Sequence, residues 1–371
     1  MLAEYGDDED NLPLIDLVSQ QLRLRLQLEE RLFNVLKQGQ YILGPEVKIL
    51  ESQLSAYVGV KHCITVASGT DALLIALLAI GIKPGDEVIT TPFNSSAPAE
   101  VIALLGAKPV FVDIEPQTYT LNPDLLEAAI TPKTKAVIPV NLYGQCADFD
   151  TINQIAKKHH IAVIEDAAHS FGATYNEHSS CALSTIGCTS FLPTRTLGAY
   201  GDAGACFTND DTLAETMQQL RNHGQSKHNY HRLIGTNSHL DTLQASLLLA
   251  KFMIFPQELE ERTRIATLYT RLLEGKVKTP VILPRNTSVY AQYTIEVTDR
   301  DCLREKLLAH SIETAVYYPL PLHLQPAFSY LGYSTGSFPI AETAAQHVLS
   351  LPMHPYLTRE MQHHIVQTIT N

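Results

Sequence analysis

Cysteine is scarce in this 371-residue chain: six residues (Cys63, Cys146, Cys181, Cys188, Cys206, Cys302), none in a CxxC pair. That spacing fits neither a disulfide framework nor a zinc site, and reads as reduced thiols. The histidines are numerous, but no HExxH occurs. The pairs His159-His160 and His363-His364 read as solvated helix surface, so no metal is expected. Long apolar runs are missing as well. Ala72 to Ile80 is the longest, far short of the roughly 20 residues that cross a bilayer. The N-terminus, MLAEYGDDED, carries no apolar signal segment, so a cytoplasmic protein without a membrane partner is expected. Basic charge is also short: 27 Lys+Arg stand against 39 Asp+Glu, a formal net charge of −12. A phosphate-backbone footprint needs the opposite balance, so nucleic acid is not an expected partner. No GxGxxG opens the first βαβ unit, which argues against an NAD-dependent dehydrogenase.

What is present is a regular alternation. His62 to Ala67, Asp86 to Thr91, Pro109 to Ile114, Ala136 to Asn141 and Ile161 to Glu165 read as strands. Asp71 to Ile80, Ala97 to Gly106 and Asp148 to His159 read as helices between them. Apolar strands separated by helices predict βαβ crossovers, hence an α/β fold with a mainly parallel sheet covered on both faces. Leu22, Leu24, Leu26 and Leu28 alternate with polar residues, a strand-like period. The residues around them are good helix formers without β-branching, so Ser19 to Gln38 is assigned as a helix. Thr242 to Phe255 reads as an apolar helix that Pro256 kinks or ends, and Gln257 to Glu274 as a polar one. Beyond Lys278 come short strands, a helix from Asp301 to His310 and the Pro-rich stretch Tyr317 to Pro326. Two lobes are expected: a large domain over residues 1–250 and a smaller α+β domain over 251–371.

Ligands of open α/β sheets gather beyond the carboxyl ends of the strands, and three segments fall there. Ser68-Gly69-Thr70-Asp71 joins a strand to a helix, which suits an anion at a helix N-terminus or an ordinary Ser cap. Glu165-Asp166-Ala167-Ala168-His169 puts a carboxylate at a strand tip, where it can pair with a protonated ring nitrogen or serve as a solvated loop acid. Thr189 to Gly204 carries GxxGxxG spacing in LGAYGDAG.

Taken in order, these segments resemble the nucleotide-sugar aminotransferases, the DegT/DnrJ family of fold-type I pyridoxal-phosphate (PLP) enzymes. The resemblance runs from Gly39 to Val47 through SGTDAL, GDEVITTP, GAKPVFVDI, IPVNLYGQ, VIEDAAHSFGA and LGAYGDAGA to Asn222-His223-Gly224, GTNSHLD and LSLPMHP. It implies that Gly69, Thr70 and Ser190 hold the cofactor phosphate. It implies that Asp166 pairs with the pyridine nitrogen and that His169 lies beside the ring. Asn237 matches a residue that the second subunit of a homodimer lends to the phosphate, which implies two shared sites. The family implies glutamate as amino donor and a nucleotide-linked ketosugar as acceptor, in polysaccharide or amino-sugar biosynthesis.

The departures lie at the chemistry. In Phe191-Leu192-Pro193-Thr194-Arg195-Thr196-Leu197-Gly198, Arg195 stands at the family's lysine position. The lysine must lose its proton to bond the cofactor and later to move protons. A guanidinium, with a pKa above about 12, does neither. Ser95 stands where the family offers a ring to stack on the cofactor, although Phe93 is two residues away. His239 replaces an Arg at a substrate-side position, and Cys181 to Thr185 lacks the usual Gly-Asp. The expectation is a family member that binds PLP or PMP (pyridoxamine phosphate) non-covalently, if at all, and cannot carry out lysine-dependent transamination. The alternatives are a non-catalytic sugar- or partner-binding paralogue and a PMP-dependent deoxygenation without lysine.

Overall fold

The structure, a computed structural model, describes residues 12–371; the acidic N-terminal segment read above lies outside them. Its centre is a seven-stranded sheet. The strands are β1 (His62–Val66), β2 (Glu87–Thr90), β3 (Lys108–Phe111), β4 (Thr134–Val137), β5 (Ala162–Asp166), β6 (Ile186–Ser190) and β7 (Gly204–Thr208), in spatial order β1-β7-β6-β5-β4-β2-β3. Neighbours run parallel except where β7 lies antiparallel to both β1 and β6. Six strands therefore point their carboxyl ends to one edge. Almost every strand residue is buried, because helices cover both faces.

The helices begin where local chemistry allows. In α1 (Leu17–Gln38), Asp16 caps the first turn through Ser19 N at 2.8 Å, and Gly39 closes the last at φ 71°. Leu24 and Leu28 are buried, while Leu22 and Leu26 face outward. The alternating leucines thus resolve into a helical i, i+4 stripe, which packs on Leu247 and Ala250. Next come α2 (Pro45–Val58) and α3 (Gly69–Ala79), the latter opened by Ser68 Oγ accepting Asp71 N at 3.0 Å. Then follow α4 (Ala97–Leu104), α5 (Phe149–His159), α6 (Asp211–Leu220) and α7 (Thr242–Phe252). Pro256 corrects one expectation. It neither kinks nor ends α7, which stops at Phe252, but sits in the first turn of α8 (Phe255–Leu273), where its missing N–H costs nothing.

A second core lies around the two-stranded pair β8 (Tyr293–Glu296) and β9 (Val348–Leu351). Leu12, Tyr269 and Leu273 of α8, Leu307 of α9 (Arg300–Ala309) and Ile365 of α11 (Arg359–Thr370) pack on it. A further cluster ties Phe93, Ala99 and Phe111 to Leu322, Phe328 and Ala341 of α10 (Pro339–His347). Through it the C-terminal segment, including Tyr318, closes over the carboxyl edge of the sheet.

Candidate active site at the carboxyl edge of the sheet

The strand register assembles the first half of the site. Gly204, which opens β7, lies opposite both Val66 of β1 and Ser190 of β6. This row brings the β1–α3 turn against the end of β6. A Cβ on Gly69 would lie 2.6 Å from Ser190 Cβ, and one on Gly204 would lie 2.3 Å from the Ser68 carbonyl oxygen. Glycine is required at both places by approach, since neither has a positive φ. The result is a cradle in which Gly69, Thr70 and Ser190 meet at the N-terminus of α3, whose free N–H groups suit a phosphate.

The second half is built on β5. Asp166 ends the strand, buried, and accepts the Ala168 N–H at 3.0 Å. Burial raises its pKa, while the Ala168 N–H, the Arg195 charge and the Asn94 amide pull it back. A carboxylate in such a setting keeps its charge best when a cationic N–H pairs with it, as a pyridinium does. His169 Nδ1 lies 2.8 Å from Gln292 Oε1 and donates to it as a neutral ring. Burial, reinforced by Arg195, holds this imidazole well below its usual pKa, so its Nε2 carries a lone pair.

Arg195 comes from a tight turn closed by its own N–H to the Leu192 carbonyl at 2.9 Å and by Ala199 N to the Phe191 carbonyl at 2.7 Å. Its charge acts on Asp166, His169 and Tyr318 alike. Its Nε is buried without a hydrogen-bond partner. Ser95, in the loop between β2 and α4, lies beside Tyr318, whose phenol burial pushes up to about 12. Phe93 is core: fully buried, it meets the Tyr318 ring edge-on at 6.2 Å.

Gly69, Thr70, Ser95, Asp166, His169, Ser190 and Arg195 therefore share one edge. Asn237 and His239 lie to the side. Asn237 is exposed and bridges Asn222; His239 Nε2 faces Asn222 Oδ1 at 3.0 Å. The intervening Ser238 links them to the cradle by donating to Asp71 Oδ2 at 2.8 Å.

Sequence reasoning missed several members. Tyr318 lies in the Pro-rich stretch, far along the chain from Ser95, and no local pattern marks it. Glu165, beside Asp166 in sequence, is fully buried; Ser180 Oγ, Asn141 Nδ2 and the N–H groups of Cys181 and Leu183 donate to it, and burial still pushes its pKa up to about 7. It braces β5 from behind, which the short polar run after IAVI could have suggested. Lys251 of α7 is buried, donates to the Gly198 carbonyl at 2.6 Å and lies 4.3 Å from the Tyr200 ring centre. It holds the far end of the Arg195 turn. A surface cleft of about 610 Å³, lined by Lys276, Lys278, Glu296 and His347, shares none of these residues.

The sequence model of the DegT/DnrJ/EryC1/StrS aminotransferase family matches residues 24–370. The chain belongs to that family. It is 52% identical over 361 residues to UDP-2-acetamido-2-deoxy-3-oxo-D-glucuronate aminotransferase of Pseudomonas aeruginosa, an alignment covering 97% of this chain and all of that protein. Among solved structures it resembles S. venezuelae DesV in complex with a ketimine intermediate (TM-score 0.95, 38% identity, 97% of this chain and 98% of that one). It also resembles NtdA from Bacillus subtilis with bound PMP (TM-score 0.88, 32% identity, 97% and 84%). The fold is that of the fold-type I PLP aminotransferases. No helix among the described residues is long and apolar enough to cross a membrane.

Proposed function

We propose that this chain binds PLP and a nucleotide-linked ketosugar at the carboxyl edge of its sheet, but does not transfer amino groups through a lysine. The observation that carries this reading is Arg195, standing with Asp166, His169 and Tyr318 where the family resemblance expects the lysine. Bound PLP supplies an aldehyde and a protonated ring that draws electrons from a substrate carbon. The residues present suit two of its three anchor points. The Gly69–Ser190 cradle with Thr70 would hold the phosphate, and Asp166 would keep the ring nitrogen protonated. The third anchor, a neutral amine, is not offered by Arg195. Lys251 of α7, a buried amine that touches the turn, is committed to the Gly198 carbonyl.

The name of the 52%-identical relative supports a ketosugar nucleotide as the ligand class. Unusual apolar exposure supports a homodimer with shared sites. Leu26 is 76% exposed on α1 and Ile234, beside Asn237, is 93% exposed, a cost that burial against a second copy removes. In that dimer Asn237 would face the partner's cradle, and His239 with Ser95 would line the sugar side. A lysine-free deoxygenation with PMP is ranked lower. Its base would have to be His169, whose basicity burial and Arg195 both reduce.

The test incubates the purified protein with PLP, glutamate and a ketosugar nucleotide, then reduces with borohydride and maps peptides. The reading expects PLP retention on gel filtration, no site modified stoichiometrically and no amino sugar formed. Steady turnover, or one lysine carrying a full phosphopyridoxyl group, refutes it.

A further inference from the structure

Two donors near Asp166 have no acceptor. Arg195 Nε is buried and unpartnered, and the Asn94 Nδ2 is likewise buried and completes no hydrogen bond of normal geometry. Asn94 stands beside the Asp166 carboxylate and polarises it. His169 and Tyr318, which both feel the Arg195 charge, carry no charge that could balance it. The charged groups that act on each other here are the Arg195 guanidinium and the Asp166 carboxylate. Once a pyridinium N–H takes the carboxylate, Arg195 Nε and the Asn94 amide nitrogen stay buried without an acceptor. Unmet buried donors are costly, and they favour whichever ligand brings oxygen lone pairs.

We propose, resting on the reading of this pocket as a coenzyme site, that Arg195 makes it selective for the coenzyme's aldehyde form: PLP is held unlinked, and PMP is disfavoured. The two forms share ring, phosphate and ring oxygen. They differ at one substituent, which is an acceptor oxygen in PLP and an ammonium in PMP. The ammonium adds donors where Arg195 Nε and Asn94 Nδ2 already lack acceptors. It also adds positive charge beside a guanidinium in surroundings that screen poorly. A lysine at position 195 could relieve the conflict by giving up its own proton. Arginine cannot. The amine must then lose a proton to enter, which weakens PMP at neutral pH.

The experiment titrates the full-length protein separately with PLP and with PMP at pH 7, by calorimetry and absorbance. PLP is expected to bind at least about tenfold more tightly, a difference near 1.4 kcal/mol. Its bound spectrum should be that of a free aldehyde. In Arg195→Met and Arg195→Gln the two affinities should converge within about threefold, with circular dichroism unchanged. PMP binding as tightly as PLP to the unaltered protein, or a preference that survives in both variants, overturns the inference and leaves the coenzyme pocket standing. Binding of neither form to the folded protein overturns the pocket reading, and this inference with it.

Discussion

The row formed by Val66, Gly204 and Ser190 makes a sharp prediction about one methyl group. Gly204 has ordinary strand dihedrals, so Gly204→Ala adds no backbone strain; its whole effect is steric. The new Cβ would lie 2.3 Å from the Ser68 carbonyl oxygen and 2.8 Å from Gly69 N. Relief to ordinary contact requires a movement of about 1 Å, and both obstacles are backbone, with no flexible side-chain end to yield. The Ser68 carbonyl accepts Ala72 N at 3.0 Å, the first bond of α3. Moving it weakens that bond and opens the cradle. Overpacking of this kind costs about 3 kcal/mol, or a Tm lowered by about 4 °C in a chain of this length. Affinity for PLP, or for inorganic phosphate as a probe, should fall at least about tenfold. Gly59→Ala serves as the comparison: its φ is 82° in open space, so it should cost about 1 kcal/mol and leave ligand binding alone. Calorimetric unfolding and titration of the two variants check both. A Gly204→Ala protein with unaltered Tm and unaltered phosphate affinity would refute the placement of the β1–α3 turn against β7.

Three further outcomes are expected. Arg195→Lys should gain a borohydride-reducible bond to PLP at residue 195, seen by peptide mapping; a variant that binds PLP yet stays unmodified there would show that the turn does not aim at the coenzyme. His354 is buried and its pKa is pushed down to about 4, below the ordinary 6.5. The unfolded chain therefore binds its proton first, and stability is lost as pH falls from 6.5 to 4, by roughly 1.4 kcal/mol per unit. Denaturant midpoints at pH 7 and pH 4.5 should diverge less in His354→Phe, and an identical pH slope in both proteins would contradict this. Leu26→Glu, on the exposed stripe of α1, should leave the Tm of the isolated chain nearly unchanged and shift sedimentation toward the monomer, whereas an unshifted profile removes α1 from the proposed interface.

Much of the architecture could be read locally. Alternating apolar strands and helices imply a parallel sheet because parallel strands must be bridged by crossovers that cover both faces. The helix over the alternating leucines followed from helix formers without β-branching, and Ser68 announced α3 because its hydroxyl has one good use ahead of an apolar run. Pro256 was ambiguous for a physical reason: the ring ends one helix or begins the next equally well, and the decision belongs to the packing of Phe255. The identities at positions 195, 166 and 69 set which chemistry is available, because a guanidinium, a carboxylate and a missing side chain keep those properties wherever the chain puts them. Only the tertiary structure decided their neighbours. Tyr318 lies with Ser95 and Arg195 across more than a hundred residues, Gly204 acquires its meaning from two strands it pairs with, and Arg195 Nε is buried without a partner. Sequence fixes side-chain chemistry and short-range backbone preference, whereas burial, pKa and unmet hydrogen bonds arise from contacts that exist only once the sheet has brought its carboxyl ends to one edge.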